Sequence, residues 1–307
     1  ATVKTKGKAM IAQYKEMLKN EEMYGHYGVT REFLEKIIDL IEGYNERTKD
    51  ENFKLFNEIY LLLPNNVHEL PGVIKGAVSG DFKEYISDEN NKYGKMNAQT
   101  KKEFEKHGIN YDIWFQSDRE DDIELNLNNK TYTLGMWERY PQKDLFMGDR
   151  TSCCTALSYG ANGKSTPLYL LNSAFNVVEL KDEKGDIVGM SRIYTGEIDN
   201  KAALIMDNIE INSALKKNLS EKDLKRTRNA FFEYMKNYAD KITGKKDAPV
   251  YFSTSYTGVP MEDLKTVIKT VDFIGSLSNE NFYSNTAKNW IKPEELKNEE
   301  RTFYVIN

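Results

Sequence analysis

The stretch Ala202-Ala-Leu-Ile-Met-Asp-Asn-Ile-Glu-Ile211 decides how the second half of the chain is interpreted. It begins with a continuous apolar run from Ala203 to Met206, which is typical of a central strand buried on both faces. Ile209 and Ile211 then alternate with polar residues, so the end of this strand has one apolar face. We therefore predict a strand over residues 202–211 in the middle of a β-sheet.

A capping box after this strand predicts a long helix. Ser220 and Asp223 stand three residues apart, the spacing at which a hydroxyl and a carboxylate satisfy the first amides of a helix. Apolar residues at helical spacing follow and end before Gly244: Leu224, Phe231, Met235, Tyr238 and Ile242. A strand over Val250–Ser253 comes next. We then expect another helix from Pro260, because proline and the two carboxylates that follow it suit a first helical turn.

Two hairpins are predicted before the central strand. The alternation of Ile123, Leu125 and Leu127 leads into Asn128-Asn129, a pair that favours a tight β-turn. A second hairpin joins the apolar segment starting at Phe175 to a returning strand that contains Ile193. Its turn is Asp182-Glu-Lys-Gly-Asp186. Late strands are predicted around Val271–Ile274 and Phe282–Tyr283.

The first third of the chain has helical periodicity. Apolar residues at spacings of one, three and four predict a helix over residues 30–44: Phe33, Leu34, Ile37, Ile38, Ile41 and Tyr44. A capping box of Thr48 and Glu51 predicts a second helix that ends at Pro64. A third box, Thr100 and Glu103, predicts a short helix closed by Gly108.

These elements predict an α+β fold in two parts. Together with a lysine-rich helix over Lys4–Asn20, the early helices form a helical lobe, which we assign to residues 1–110. Residues 111–307 form a mixed β-sheet domain. Beyond about 250–300 residues a chain usually divides into more than one core, in agreement with this division of the 307 residues.

The order hairpin, central strand, long helix, strand, short helix, strand over Phe175–Gly275 resembles the core of the GNAT-like N-acyltransferase superfamily. The resemblance implies transfer of an acyl group from a coenzyme A thioester to a small-molecule or protein amine. In that family the strand before the long helix binds the pantetheine arm, and the following loop binds the pyrophosphate. Five residues would then contact the cofactor: Ile209, Ile211, Lys216, Lys217 and Ser220.

The same resemblance assigns the chemistry to Glu210 and Tyr256. Glu210 would accept a proton from the amine, provided that burial raises its pKa toward neutrality. Tyr256 would donate a proton to the leaving thiolate. The alternative interpretation of Glu210 is a strand residue that simply faces water.

The loop from Asn212 to Ser220 departs from the family pattern, because it contains no glycine. Phosphate-binding loops use glycine where the backbone must approach the phosphate closely. This departure favours a second hypothesis, a non-catalytic protein-binding or effector-type module that keeps the fold and lacks the cofactor.

A third hypothesis rests on Arg192 and the tripeptide Ser253-Thr254-Ser255. These residues are similar to the arginine and Ser-Thr-Ser elements of toxin-type mono-ADP-ribosyltransferases. The Glu-x-Glu pattern of that family is not evident, since Glu294-Glu295 and Glu299-Glu300 are adjacent pairs.

The most unusual local sequence contains Cys153 and Cys154. The preceding Gly148-Asp-Arg-Thr-Ser152 has the composition of a turn and a helix cap. This composition places both thiols in a first helical turn, where the helix dipole lowers a thiol pKa and favours a nucleophile. The alternative is a pair of buried, inert cysteines, because free cysteine is among the most buried residue types.

Composition excludes several classes of protein. The chain has 39% hydrophobic and 30% charged residues and a net charge of -5, which disfavours nucleic-acid binding and membrane insertion. Two cysteines and three histidines form no recognisable metal motif. The lysine-rich start has no sustained apolar run, so we expect a cytoplasmic protein or one exported without a Sec-type signal. The sequence predicts no oligomeric state.

Overall fold

The computed structural model describes most of the chain, in ranges separated by gaps. These ranges are residues 15, 18–19, 30–43, 46–62, 69–79, 81–116, 121–156, 163, 165–254, 257–275, 282–284, 289–291 and 299–306. Most of the predicted helix over Lys4–Asn20, and the predicted proton donor Tyr256, therefore lie outside the described residues.

The fold is α+β, as predicted. The helices are α1 Arg31–Gly43, α2 Lys49–Leu62, α3 Leu70–Ser79, α4 Phe82–Ser87, α5 Lys92–Lys106, α6 Tyr111–Gln116, α7 Pro141–Asp144, α8 Met147–Thr151, α9 Ser165–Leu171, α10 Ser213–Asn218 and α11 Glu221–Thr243. The strands are β1 Ile123–Leu127, β2 Lys130–Met136, β3 Asn176–Lys181, β4 Ile187–Ile198, β5 Lys201–Ile211, β6 Val250–Ser253, β7 Thr266–Ile274, β8 Phe282–Ser284, β9 Asn289–Ile291 and β10 Glu299–Ile306.

Contacts divide the chain into two compact units. A helical unit comprises residues 1–85 and 139–171, and a sheet unit comprises residues 86–138 and 172–307. The helical unit contains α1–α3 and α7–α9, and the sheet unit contains α5, α6, α10, α11 and the strands. These units are defined by contacts, whereas the predicted domains, 1–110 and 111–307, are parts that would fold independently. The two domains therefore stay a prediction.

In the helical unit, α1 and α2 confirm two predicted helices. Thr48 and Glu51 form the predicted capping box: the Thr48 amide donates to Glu51 Oε2 at 2.7 Å, and the Glu51 amide donates to Thr48 Oγ1 at 3.3 Å. The hydrogen bond from the Thr48 amide lowers the pKa of Glu51. Between the helices, Lys36 Nζ lies 2.7 Å from Glu58 Oε2. Apolar side chains of both helices are buried: Phe33, Leu34, Ile38, Leu40, Leu55 and Ile59.

The sheet unit is built on eight hydrogen-bonded strands in the order β1-β2-β3-β4-β5-β6-β10-β7. The pairs from β1 to β5 are antiparallel, and β5 pairs with β6 in parallel through Leu204–Met206 and Val250–Phe252. Helix α11 joins these two parallel strands. Both predicted hairpins are confirmed, and Asn128 and Asn129 have the positive φ angles (51° and 59°) that a type I′ turn requires.

The sheet closes on itself at one end, because β7 pairs with β10 and also with β4. Strands β4, β5, β6, β10 and β7 therefore form a ring. Gly196 on β4 lies inside it, and a Cβ atom there would stand 2.7 Å from Val271 Cγ2 and 2.9 Å from Ile205 Cδ1. Tyr251 and Phe303 pack with their ring centroids 5.5 Å apart. Burial raises the pKa of Tyr251.

The predicted long helix is confirmed as α11: it begins after Ser220, ends before Gly244 and buries the predicted apolar face. Ser220 Oγ accepts from the Asp223 amide at 3.1 Å, and Gly244 ends the helix with a positive φ of 61°. The buried face carries mostly large side chains: Phe231, Phe232, Tyr234, Met235, Tyr238 and Ile242. Each fully buried side chain of this size contributes about 1.5–3 kcal/mol by transfer from water.

Buried polar contacts connect α6 to β3 and α11. Trp114 Nε1 donates to the Ser173 carbonyl at 2.6 Å. The Trp114 carbonyl accepts from Asn176 Nδ2 at 2.6 Å and from the Tyr238 hydroxyl at 3.1 Å. These groups are buried with their hydrogen bonds made, so the network does not carry the penalty of unsatisfied polar atoms.

Two predicted helix starts are wrong. Thr100 and Glu103 do not open a helix, because α5 already begins after Asn91, whose side chain accepts from the amides of Tyr93 and Gly94. Thr100 Oγ1 instead donates to the Met96 carbonyl inside α5. A stronger cap nine residues upstream therefore replaces the predicted box.

The segment after Pro260 is a turn, not the predicted helix. Arg228 of α11 donates to the Pro260 carbonyl at 2.8 Å and to both carboxylate oxygens of Asp263 at 2.5 and 3.0 Å. The Pro260 carbonyl and the Asp263 carboxylate, which a first helical turn would use for its own hydrogen bonds, are thus bonded to Arg228. These bonds also lower the pKa of Asp263 to about 2.

We predict that Gly196→Ala destabilises the sheet unit by about 1–3 kcal/mol, because the added methyl group overpacks the ring. Urea unfolding measures the change. Val271→Ala is the matched second substitution, since it removes the atoms that the new methyl group meets. The double variant is expected to be less destabilised than the sum of the two single variants; additive losses would contradict the overpacking.

We predict that Asp263→Asn lowers the stability at pH 7 and that this loss fades in acid. The pKa of Asp263 is lowered in the folded chain, so its carboxylate stabilises fully above the ordinary pKa of about 3.9 and loses this effect as the pH falls toward 2. The stability difference between wild type and variant is measured from their urea midpoints at pH 7 and at pH 3. A constant difference between the two proteins at both pH values would rule out the carboxylate as the cause.

Candidate functional site

The candidate site lies where the parallel strands β5 and β6 separate. Their pairing covers Leu204–Met206 of β5. The carboxyl ends of adjacent parallel strands that connect through a helix are the usual position of a ligand site in mixed sheets. Glu210 and the tripeptide starting at Ser253 both lie at this end, because they follow the paired segment on β5 and β6.

A β-bulge marks the same point on the other edge of β5. Ser191 pairs with Ile209 and Ile193 pairs with Met206, so two residues of β5, Asp207 and Asn208, stand opposite the single residue Arg192. Arg192 Nε lies 3.8 Å from Asp207 Oδ2, and both side chains are fully buried. Bulges bend a strand and redirect its side chains, and they are frequent next to functional sites.

Glu210 is buried, with 9% of its surface exposed. The alternative interpretation of this residue as a strand side chain facing water is therefore wrong. Asn208 Nδ2 donates to Glu210 Oε1 at 2.5 Å. Because Asn208 and Glu210 are two residues apart on one strand, their side chains share a face of the sheet, and this hydrogen bond orients the carboxylate.

A second carboxylate lies on the same face. Glu179 of β3 pairs with Met190 of β4, which in turn pairs with Glu210 of β5, so all three side chains lie in one row across the sheet. Lys181 Nζ lies 3.1 Å from Glu179 Oε2, and both side chains are buried. Together these groups form the β5 polar cluster: Glu179, Lys181, Arg192, Asp207, Asn208 and Glu210.

Burial of the β5 polar cluster is costly. Five ionisable side chains leave water, and the attraction within an ion pair often does no more than offset the desolvation of its members. Apolar residues of similar size at these positions would give a core at least as stable. Buried ionisable groups gathered at one end of a parallel strand pair are therefore a candidate for function.

The chain itself occupies the position that the resemblance assigns to the pantetheine arm. The Ile209 carbonyl accepts from the Gly258 amide at 2.7 Å and from Thr257 Oγ1 at 3.1 Å, and the Ile209 amide donates to Thr257 Oγ1 at 3.2 Å. A Cβ atom on Gly258 would lie 3.1 Å from the Ile209 carbonyl oxygen and 3.3 Å from the Ile211 amide nitrogen. Both backbone groups of Ile209 are therefore bonded within the chain in this structure, and the contact with a pantetheine arm stays a prediction.

The expected pyrophosphate loop is largely helix α10, capped by Asn212. Asn212 Oδ1 accepts from the Ala214 amide at 3.0 Å, so the first amides after β5 are satisfied within the chain. Lys216 and Lys217 lie on α10. Ser220 Oγ bonds Asp223, whose carboxylate lies in the first turn of α11 together with that of Glu221. These carboxylates occupy the positive end of the helix, which disfavours a phosphate there.

The residues of the third hypothesis lie on both sides of β5. Arg192 is on β4, and Ser253 ends β6 one residue after Phe252, the partner of Met206. Thr254 Oγ1 donates to the Thr302 carbonyl at 3.2 Å. Ser255 lies outside the described residues, so the ADP-ribosyltransferase hypothesis stays a prediction.

The predicted position of the cysteines is wrong. Helix α8 ends at Thr151, and Ser152 follows in the left-handed conformation, so Cys153 and Cys154 come after the carboxyl end of a helix. The cysteines therefore follow the negative end of α8, not the positive end that was expected to favour a nucleophilic thiol. Cys153 is buried and Cys154 is exposed, so the alternative of two buried thiols holds for Cys153 alone.

Sequence reasoning identified Glu210 and Arg192 but not the β5 polar cluster. The available signal was alternation: Glu179 and Lys181 interrupt an apolar strand on one face, in a strand that is buried throughout. The bulge that brings Asp207 to Arg192 has no signature in the sequence, because it depends on the register between two strands.

The sequence matches no protein-family model, and no curated protein matches it. Within the described ranges, none of the helices combines the length and the apolar character that spanning a bilayer requires. The same ranges contain no group of three or more His, Cys, Asp or Glu side chains arranged to hold a metal ion.

We predict that iodoacetamide at neutral pH modifies Cys154 in the native protein and reaches Cys153 only after denaturation. Cys153 is 2% exposed, and Thr155 Oγ1 lies 3.3 Å from its sulfur. Peptide mass spectrometry after timed labelling identifies the modified thiol. Cys154→Ser is the control and should leave the native protein unlabelled. Fast native labelling of Cys153 would instead support the hypothesis of a nucleophilic thiol.

Proposed function

We propose that the chain is a non-catalytic binding module that keeps an acyltransferase-like order of elements and recognises an amine-bearing partner at Glu210, the most exposed carboxylate of the β5 polar cluster. The observation that carries the proposal is the engagement of both Ile209 backbone groups by Thr257 and Gly258. A donor cofactor would form backbone hydrogen bonds with Ile209 only if Thr257 and Gly258 moved away from it.

The strand order supports the acyltransferase-like part of the proposal. Helix α11 connects β5 to the parallel strand β6, and β10 lies between β6 and β7. The predicted order of hairpin, central strand, long helix and strand is therefore present. The predicted short helix after β6 is replaced by the turn that Arg228 holds.

Charge supports an amine as the recognised group. The β5 polar cluster contains three carboxylates, on Glu179, Asp207 and Glu210, and two cations, on Lys181 and Arg192. When all five are ionised, the cluster has one excess negative charge. A partner's ammonium group would compensate this charge and would make a charge-assisted hydrogen bond, which is stronger than a neutral one.

Isothermal titration with two small ligands tests the proposal. We expect saturable binding of Nα-acetyl-lysine methylamide, which carries a free side-chain amine, and no binding of its norleucine analogue or of acetyl-coenzyme A. Glu210→Gln should weaken binding of the lysine analogue about tenfold, the loss expected for one hydrogen bond to a charged group.

Glu233→Gln is the matched control, because Glu233 is an exposed carboxylate on α11 outside the β5 polar cluster. It should leave the affinity unchanged. Equal weakening by both substitutions, or equal binding of the lysine and norleucine analogues, would overturn recognition of the amine at Glu210.

The second candidate function is acyl transfer from a coenzyme A thioester to an amine. The burial of Glu210 and its bond to Asn208 favour it, because an oriented buried carboxylate is suited to accepting a proton from an amine. Saturable binding of acetyl-coenzyme A that Lys216→Glu weakens and Lys222→Glu does not would favour this candidate and reject the first.

A further inference from the structure

A cleft lies on the sheet unit between helix α11 and the end of strand β10. Its volume is about 540 Å³, within the range of about 300–1,000 Å³ that small-molecule sites occupy. One wall is a face of α11, and the other is formed by the turn before β7 and by the last residues of β10. None of its lining residues belongs to the β5 polar cluster.

Part of the cleft lining is apolar. Phe232 is buried and packs edge-on against Phe252, with ring centroids 5.5 Å apart. Leu264, Val305 and Ile306 complete the apolar lining. A buried aromatic ring held by a second ring gives a rigid surface, so an apolar ligand would bind here with little loss of side-chain freedom.

One ion pair in the wall is already neutralised. Arg228 stands with its guanidinium carbon 5.7 Å from the centre of the Phe232 ring and bonds both oxygens of Asp263. Because Asp263 is held ionised by this arginine, the pair contributes no net charge to the cleft.

The remaining charges leave the cleft positive. Lys236 and Lys265 both line it, and neither forms an ion pair within the described parts of the chain. Glu233 is the one other carboxylate among the lining residues. Two ammonium groups and one carboxylate give an excess of one positive charge beside the apolar part of the lining.

We propose that this cleft binds a small amphiphilic monocarboxylate, with its carboxylate between Lys236 and Lys265 and its apolar body against Phe232 and Leu264. The proposal is independent of the proposed function, because it uses other residues and another ligand. Asn229 and Asn237 also line the cleft, and their side-chain NH₂ groups are further hydrogen-bond donors for the anion.

Titration calorimetry with decanoate, and with decylamine as its cationic counterpart, tests the proposal on the full chain. We expect one decanoate per chain and no saturable binding of decylamine. The double variant Lys236→Glu/Lys265→Glu should weaken decanoate binding about tenfold or more, the loss expected when a charge-assisted hydrogen bond is removed. The same variant should acquire affinity for decylamine.

Lys222→Glu is the matched control, because Lys222 is an exposed lysine of α11 outside the cleft, and it should not change the affinity. Leu264→Ser tests the apolar part independently and should reduce the preference for decanoate over hexanoate. Equal binding of decanoate and decylamine, no binding of decanoate, or unchanged binding in the double lysine variant would each overturn the proposal.

Discussion

The separation of β5 from β6 after Met206 is the constraint on which the sheet unit depends. From Leu204 to Met206, β5 is paired on both edges. Beyond Met206, the pairing of β5 with β4 contains the bulge at Asp207–Asn208, and β6 ends at Ser253. The backbone groups of Ile209 therefore have partners outside β6. Thr257 and Gly258 supply them, so the carboxyl end of β5 is completed by a loop instead of a strand.

The bulge also brings polar side chains together here. A regular strand would place Asp207 and Asn208 on opposite faces, whereas the bulge sets both opposite Arg192 in the register, with Asp207 beside Arg192 and Asn208 bonded to Glu210. Burial of the resulting ion pair and of Glu210 costs solvation energy that hydrogen bonds within the cluster only partly return. Local stability therefore does not account for these residues, and the proposed function assigns them to recognition of a charged partner group.

The closed ring and the helix α11 pack apolar side chains on the two sides of the sheet unit. Gly196 and Val271 fill the ring interior, while Phe232 and Phe252 form the contact beneath α11. Close-packed interiors have low compressibility, so both proposed sites are built on rigid elements. Arg228 has the same effect on the turn after Pro260, which it joins to α11.

The sequence by itself determined the elements whose signals are local. The capping boxes at Thr48 and Ser220, the turn at Asn128-Asn129 and the apolar run of β5 each depend on a few neighbouring residues, and all four are confirmed. Local signals failed at Thr100, because the cap at Asn91 competes for the same helix.

Tertiary structure alone decided the register of the strands and the contacts between distant segments. The bulge opposite Arg192, the bonds from Thr257 to Ile209 and the ion pair of Arg228 with Asp263 join residues that are far apart in the chain. Periodicity reports which face of an element is apolar, but not which element covers that face. A site assembled from separate strands therefore becomes visible only when the chain is folded.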